Sequence, residues 1–366
     1  MNYKVINAQS RNKSMLFETL IKEWDLKTNN NRSHEIQLFL NAFMNISARD
    51  LVKSMMITNY TDAILTYHPD AQRLDSNMVY EKTEKFVKTI YEAIELLKDC
   101  KEYLLDFFNK ISRNANPRAS FWFNEYLDAY SNYRYEKKLN NRYLQLNDFI
   151  PKGSFVDIGA GGGELVKKFM DERNLGKEDA AGIDAYNWLS ALAEGNITFH
   201  QLDFSVEGTT ADKQYDVGTC LASIHHVGGR NEIDKVNTFI KGMSTAIKQG
   251  GILVVEEDVL VTPKDLEIED WSQQVETLRA NQPFYDQFLD FDFETQWSAT
   301  TLVDFLANIL SVGEPTMPFP SGFRSIHEWK YLFEENGFIL KEVKFVGHLA
   351  HNFNQQSHAF FILEKQ

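Results

Sequence analysis

A short glycine-rich stretch contains the residues whose types and spacing point most directly to chemistry. A run of apolar and β-branched residues reaches Asp157, and Gly159, Ala160, Gly161 and Gly163 follow directly. Glycine adopts left-handed backbone conformations without strain and has no side chain to keep a ligand away from the main chain. A helical pattern begins next, and the first N–H groups of a helix are free to bind. The stretch therefore predicts a strand–turn–helix unit that holds a ligand, with these five residues in contact with it.

Two further acids follow the next two predicted strands. Asp184 lies 21 residues after Gly163 and precedes Ala185, and Asp203 precedes Phe204. An acid at about that distance from a glycine loop accepts hydrogen bonds from a ribose diol. Asp203 is placed to meet the amino group of an adenine, with the ring of Phe204 beside it. The acids thus predict a nucleoside site that continues from the glycine loop.

A pair of histidines follows the fourth predicted strand, which ends at Leu221. A neutral imidazole takes a proton from a hydroxyl or ammonium group near pH 7, so His225 and His226 are the candidate general bases. The sequence does not decide between them, and we favour His226. The alternative is that one histidine packs against a cofactor, which Leu221 is also expected to contact, while the other caps the loop.

The acids Glu256, Glu257 and Asp258 follow the core of the fifth predicted strand. The favoured interpretation is a solvated acidic loop. The second is that the carboxylate of Glu257 orients the substrate or a histidine. A Mg²⁺ site is a weaker interpretation, because no second acid ends the fourth strand, and we predict no metal. Five residues are candidates for binding the substrate: Tyr130, Arg134, Glu257, Trp271 and Arg324.

The pattern of the chain changes near residue 151. Residues 1–150 show helical spacing of apolar residues and predict an all-α domain that covers the substrate, forms a dimer, or both. From 151 to 366, short apolar runs alternate with helical patterns, which is typical of a parallel α/β sheet. Strands are predicted at 154–158, 180–184, 197–201, 215–221, 251–257, 338–347 and 358–364, with helices at 163–173, 187–194, 231–248 and 326–336. A helical insert at about 259–323 is long for a connection and is expected to help bind the substrate.

The motif Asp-x-Gly-x-Gly-x-Gly at the first strand, with acids at the ends of strands two and three, resembles the class I S-adenosylmethionine-dependent methyltransferases. The resemblance covers about 150–366. It implies a seven-stranded Rossmann-like sheet with an antiparallel final strand pair. It also implies that Asp157 and the glycines face the methionine part of S-adenosylmethionine, Asp184 its ribose and Asp203 its adenine. A nicotinamide or flavin loop fits less well, because its third glycine would fall on Glu164.

The composition of the chain limits the kinds of partner that it is expected to bind. The net charge of −14 argues against nucleic acid, which is gripped by basic surfaces. Two cysteines, the absence of an apolar leader and the lack of a long apolar run predict a cytoplasmic protein without a membrane segment.

We expect methylation of a small-molecule acceptor at oxygen or nitrogen, in a biosynthetic role, with a possible homodimer through residues 1–150. The alternatives are an RNA or protein methyltransferase, in which the helical domain docks the substrate, and a non-catalytic cofactor-binding subunit.

Overall fold

The computed structural model describes residues 15–18, 20, 33–111, 129, 133–281, 284–307, 321–345 and 358–366. The chain forms two compact units. The longest described stretches of the first unit are 33–111 and 298–307, and the second unit contains 133–281, 284–297, 321–345 and 358–366. The predicted division at 150/151 therefore differs from the boundary of the units, and the predicted insert is shared between them.

The first unit is helical throughout its described part. Its helices are α1 (Ser33–Phe43), α2 (Ile46–Tyr67), α3 (Ser76–Leu97) and α4 (Lys101–Ile111). Their core is aromatic: the ring of Phe39 lies 5.2 Å from that of Phe108 and stacks at 4.4 Å on that of Phe305. Edge-to-face and stacked rings of this kind add to the stability that burial itself gives.

The second unit alternates strands and helices. Its helices are α5 (Leu139–Asn147), α6 (Glu164–Arg173), α7 (Ile233–Thr245), α8 (Glu269–Asn281), α9 (Tyr285–Leu289), α10 (Phe293–Ala307, which ends in the first unit) and α11 (Ile326–Glu335). Its strands are β1 (Phe155–Ile158), β2 (Ala180–Asp184), β3 (Thr198–Gln201), β4 (Tyr215–Leu221), β5 (Ile247–Leu260), β6 (Arg324–Ser325), β7 (Phe338–Phe345) and β8 (His358–Lys365).

Seven strands form one sheet in the order β3-β2-β1-β4-β5-β8-β7, and the two-residue β6 pairs with the end of β5. The first five strands are parallel, and β8 is antiparallel to both β5 and β7. This confirms the predicted α/β fold and its antiparallel final pair. The strand order reverses between β1 and β4, and ligands of such sheets bind beyond the carboxyl ends of the strands at that point.

Packing in the core of the second unit holds β1 in place. All four residues of β1 are buried, and the ring of Phe155 stacks at 4.1 Å on that of Phe169 in α6. The ring of Tyr143 in α5 meets Phe169 edge-on at 4.9 Å. The strand that leads into the glycine loop is thus held by packing on α6, which in turn meets α5. Among the described helices, none has the length and apolar character needed to cross a membrane.

Two local predictions differ from the structure. Residues 187–190 have no regular structure and residues 191–194 lie in turns, instead of the predicted helix. Ser190 donates both its N–H and its hydroxyl to the carbonyl of Gly162, while its own carbonyl accepts the N–H groups of Ala193 and Glu194. The segment is thus bonded to the glycine loop and does not continue as a helix. The fifth strand is also longer than predicted, since β5 continues to Leu260 and carries its acids inside the sheet.

Candidate active site

The glycine loop after β1 has the backbone that its sequence predicts. Gly159, Gly161 and Gly163 all have positive φ angles, of 73°, 51° and 74°. A side chain on Gly161 would meet no heavy atom within 4 Å, so the main chain there is open to a ligand. Gly163 is required for packing instead, because a Cβ there would touch Leu189, Ala193 and Ile197.

The acid at the end of β2 is bound to this loop. The carboxylate of Asp184 accepts hydrogen bonds from the N–H of Gly161 at 2.9 Å and from that of Tyr186 at 3.0 Å. The side chain is only partly buried, and a carboxylate has capacity for further donors. Ala185 is also partly buried, and its carbonyl accepts a bond from Gln201 at 3.2 Å. Asp184 is therefore fixed beside the open face of Gly161.

Asp157 lies inside β1 and is buried. Thr219 lies opposite Asp157 on β4, and its hydroxyl donates to the carboxylate of Asp157 at 2.6 Å. Burial raises the pKa of Asp157 to about 7, against the lowering effects of that hydrogen bond and of Arg142. The charge on this acid is thus poorly solvated at neutral pH, and a cation brought close to it would stabilise its ionised form.

The acid after β3 has a local role as well as a position at the same edge of the sheet. The Oδ1 atom of Asp203 accepts the N–H of Ser205 at 2.9 Å and its hydroxyl at 2.6 Å, while the residue itself is exposed. Phe204 is buried, its ring lies 6.3 Å from that of Phe239 in α7, and a Cβ on Gly242 would collide with it. The ring of Phe204 is thus a core contact of α7, and its role beside a cofactor stays a prediction.

The loop after β4 touches the glycine loop. A Cβ on Gly159 would lie 2.5 Å from the hydroxyl oxygen of Ser223, so the two loops approach as closely as glycine permits. The hydroxyl of Ser223 donates to the carbonyl of Leu221, the last residue of β4. Ala222 has a positive φ of 50°, an unusual conformation for alanine that turns the chain into the short 3₁₀ turn Ile224–His226. The histidines therefore lie on the loop that borders Gly159.

A buried carboxylate holds this loop. Glu257 accepts the N–H of Ile224 at 2.6 Å and that of Ser223 at 3.1 Å on one oxygen. Its other oxygen lies 2.5 Å from Nδ1 of His225. A carboxylate only accepts hydrogen bonds, so Nδ1 carries the proton and the other ring nitrogen, Nε2, is the basic one when the imidazole is neutral. His226 is partly buried, with its ring 4.1 Å from that of His225.

The solvated-loop interpretation of the acids in β5 is wrong. Glu256, Glu257 and Asp258 are all buried within the strand. Glu256 pairs with Arg142, and Asp258 lies 2.9 Å from Nδ1 of His358. Burial by itself lowers the pKa of His358, but Asp258 and Glu256 outweigh it and raise that pKa above its usual value. Sequence could not show this burial, because three consecutive acids resemble a surface loop until β8 covers them.

The other substrate candidates are either buried against protein groups or lie outside the described part of the chain. Trp271 in α8 is buried with its ring 5.4 Å from that of His327. Arg324 is buried and donates to backbone carbonyls, as described below. Tyr130 and the side chain of Arg134 lie outside the described residues. The sequence analysis missed Thr219, whose only signal is its register opposite Asp157.

Parts of the chain are similar to known proteins. A family model described as "Methyltransferase domain" matches residues 123–294. The "Ubiquinone biosynthesis O-methyltransferase" of Rickettsia bellii (strain OSU 85-389) is 30% identical over 120 residues, which cover 32% of this chain and 46% of that protein. The protein of the same name from Rickettsia typhi is 27% identical over 154 residues, 40% of this chain and 57% of that one. The chain thus matches about half the length of these curated relatives.

Among solved structures, the pyocyanin biosynthetic protein PhzM is similar at 16% identity with a TM-score of 0.45, over 79% of this chain and 72% of that one. An S-adenosylmethionine-dependent methyltransferase from Mesorhizobium loti is similar at 14% identity with a TM-score of 0.38, over 62% of this chain and all of that one.

Proposed function

Residues 123–294 match a methyltransferase domain, and on this premise we propose that the chain is a class I S-adenosylmethionine-dependent methyltransferase that transfers a methyl group to a hydroxyl oxygen of a small molecule. The proposal depends mainly on one observation, the pair formed by His225 and the buried Glu257 on the loop that touches Gly159. That pair would provide a base on the same loop as Ser223, which contacts the glycine loop of the proposed cofactor site.

The residues around the glycine loop fit S-adenosylmethionine. The open face of Gly161 lets a ligand lie against the main chain, and the carboxylate of Asp184 beside it suits a ribose diol. The buried carboxyl group of Asp157 suits the ammonium group of the methionine part, because a nearby cation offsets the cost of its charge. Asp203, exposed at the edge next to Asp184, is the proposed partner of the adenine.

His225 would act as the general base. A bound S-adenosylmethionine supplies a methyl group on a positively charged sulfur. The hydroxyl proton of the acceptor would pass to Nε2 of His225 as the acceptor oxygen is methylated. The carboxylate of Glu257 then stabilises the imidazolium through Nδ1–H, and it keeps the ring in the required tautomer beforehand.

The choice of oxygen and of a small acceptor rests on three lines of support. A hydroxyl must lose a proton as it is methylated, which gives a neutral imidazole a task near pH 7. The relatives named above are O-methyltransferases of ubiquinone biosynthesis. The net charge of −14 disfavours a phosphate backbone as the partner.

The test is methyl transfer from labelled S-adenosylmethionine to a panel of phenols, catechols, amines, RNA and protein. We expect transfer to a phenol or catechol, and a fall of about 10²–10⁴-fold in kcat for His225→Ala. Calorimetry should give unchanged cofactor affinity for His225→Ala but a weakening of about 1–3 kcal/mol for Asp184→Ala, which loses charge-assisted hydrogen bonds. His226→Ala should retain most of the turnover.

Three results would contradict the proposal in different ways. Full activity of His225→Ala would remove the base and leave alignment of the reactants as the source of catalysis. Transfer to RNA or protein alone would replace the acceptor. Tight cofactor binding with no transfer to any member of the panel would indicate a cofactor-binding subunit.

A further inference from the structure

The short segment 322–324 contacts the histidine loop, residues 222–230, through each of its three residues. It runs into β6, where Arg324 pairs with Val259 at the end of β5. The same strand, β5, thus contributes Glu257 and anchors the segment. We call residues 322–324 the clamp segment.

The first contact is made by the main chain. The N–H of Gly322 donates to the carbonyl of His225 at 3.2 Å. A Cβ on Gly322 would collide with the carbonyl oxygen of Gly228, so no other residue type leaves room for this approach. The lack of a side chain at 322 therefore lets the segment lie directly on the loop.

The second contact is made to the imidazole itself. Phe323 is fully buried, and its ring stacks on that of His225 with 4.9 Å between the centroids and 27° between the planes. Glu257 binds the edge of the same imidazole at Nδ1. The ring of His225 is thus fixed at its edge by one element and at its face by another.

The third contact is a buried guanidinium. Arg324 donates to the carbonyl of Gly322 at 2.5 Å, and its other terminal nitrogen lies 3.1 Å from the carbonyl of Gly229 and 3.3 Å from that of Arg230. Burial lowers the pKa of Arg324, which shows that its charge is costly in this position. Three carbonyls from two segments offset that cost, a geometry that the planar fork of arginine satisfies and a lysine ammonium does not.

We propose that the clamp segment positions His225 for proton transfer, with Phe323 and Arg324 as its positioning residues. This rests on the proposed role of His225 as the base. Arg324 joins the backbone at 322 to the backbone at 229–230 by donating to carbonyls of both segments. The spacing between the two segments is thereby fixed, and the ring of Phe323 sets the plane of the imidazole. Loosening either contact lets the ring rotate away from Glu257, which mixes the tautomers and lowers turnover.

The test compares two variants with two matched controls in the full-length chain. Arg324→Lys loosens the fork, and Phe323→Leu removes the stacked ring. In Arg173→Lys, a guanidinium that donates to the carbonyls of Ile150 and Pro151 is replaced in the same way, away from the histidine loop. Phe338→Leu removes another buried ring, at the start of β7.

Two readouts are needed, and one of them does not involve activity. Nitrogen NMR of the histidine rings reports which nitrogen of His225 carries the proton, with assignment from His225→Ala. We expect the Nδ1–H form to dominate in the wild type and in both controls, and a mixture of tautomers in Arg324→Lys and Phe323→Leu. In steady-state assays, kcat should fall about tenfold in these two variants while the KM for S-adenosylmethionine stays within twofold, as for a misplaced reacting group.

The outcomes separate the two proposals. Wild-type tautomers in both Phe323→Leu and Arg324→Lys would overturn the clamp, whatever the activities. If one of the two does not fold, as judged by circular dichroism, the other decides in the same way. If His225→Ala retains full activity, the role of His225 as a base fails, and the tautomer measurement still decides whether the segment positions this ring.

Discussion

Two histidine–carboxylate pairs in the second unit have almost the same local chemistry. In one, Glu257 accepts two backbone N–H groups and lies 2.5 Å from Nδ1 of His225. In the other, Asp265 accepts the N–H groups of Thr262 and His327 and lies 2.7 Å from Nδ1 of His327. Both acids are fully buried. A search for dyads would therefore find both with equal ease.

Their surroundings differ. The first pair lies beyond the carboxyl end of β4, where the order of the parallel strands reverses. The neighbouring strand there is β1, which leads into the glycine loop. The second joins the 3₁₀ turn Asp265–Glu267 to the first turn of α11, and the ring of His327 packs on Trp271. The comparison teaches that a histidine–carboxylate pair by itself indicates a well-made hydrogen bond, and that only its place relative to the sheet supports the proposed catalytic role.

The sharpest way to break this comparison is to exchange each carboxylate for its amide. Glu257→Gln replaces the acceptor of Nδ1–H with a group that also donates, so the imidazole is free to adopt the wrong tautomer. We expect kcat to fall by about 10²–10⁴-fold, the scale known for loss of the orienting acid in a catalytic dyad or triad. Steady-state methyl transfer to the acceptor found in the panel measures this.

The matched control is Asp265→Asn, which changes the second pair in the same way. It should lower the melting temperature while kcat stays within twofold of the wild type. Equal losses of turnover in the two variants would show that the difference in surroundings does not matter, and the assignment of His225 as the base would lose its structural support.

The sequence predicts much of this site, and its limits are physical. The glycine turn and the acids Asp157 and Asp184 are local signals, because strand ends and φ angles depend on nearby residues. The choice of His225 over His226 depends on which imidazole faces β5, a long-range contact with Glu257 that no local pattern encodes. Phe323 is almost a hundred residues from His225 in sequence, and only the sheet order brings β6 next to the same strand.

A second prediction concerns Asp157, the buried acid in β1, the strand next to β4. The pKa of Asp157 is raised from 3.8 to about 7 by burial. Because folding raises this pKa, the folded protein has its full stability below about pH 4, where the buried carboxyl group is neutral. That stability is lost as the pH rises through 7 and the buried group ionises. Asp157→Asn stays neutral and still accepts the hydrogen bond from Thr219. We expect its melting temperature at pH 8 to exceed that of the wild type by a few degrees, and to equal it near pH 4.

Thermal unfolding at several pH values, followed by circular dichroism, measures this, with Asp212→Asn as the control at an exposed acid. The same Asp157→Asn variant should bind S-adenosylmethionine more weakly, since it cannot become the carboxylate that faces an ammonium group. A variant that is less stable than the wild type at pH 8 would contradict the assigned cost of burying this charge.

The smallest effect is expected at the second pair's histidine. His327→Gln loses the bond from its ring to Asp265, but that acid keeps the N–H and hydroxyl of Thr262 and the backbone N–H at 327. Because three donors remain, the loss of stability should be about 1 kcal/mol, the usual net value of one hydrogen bond. Urea unfolding measures it, and turnover should stay within twofold of the wild type. A large loss of turnover in His327→Gln, beside a fully folded protein, would place the second pair in the reaction as well and remove the distinction between the two.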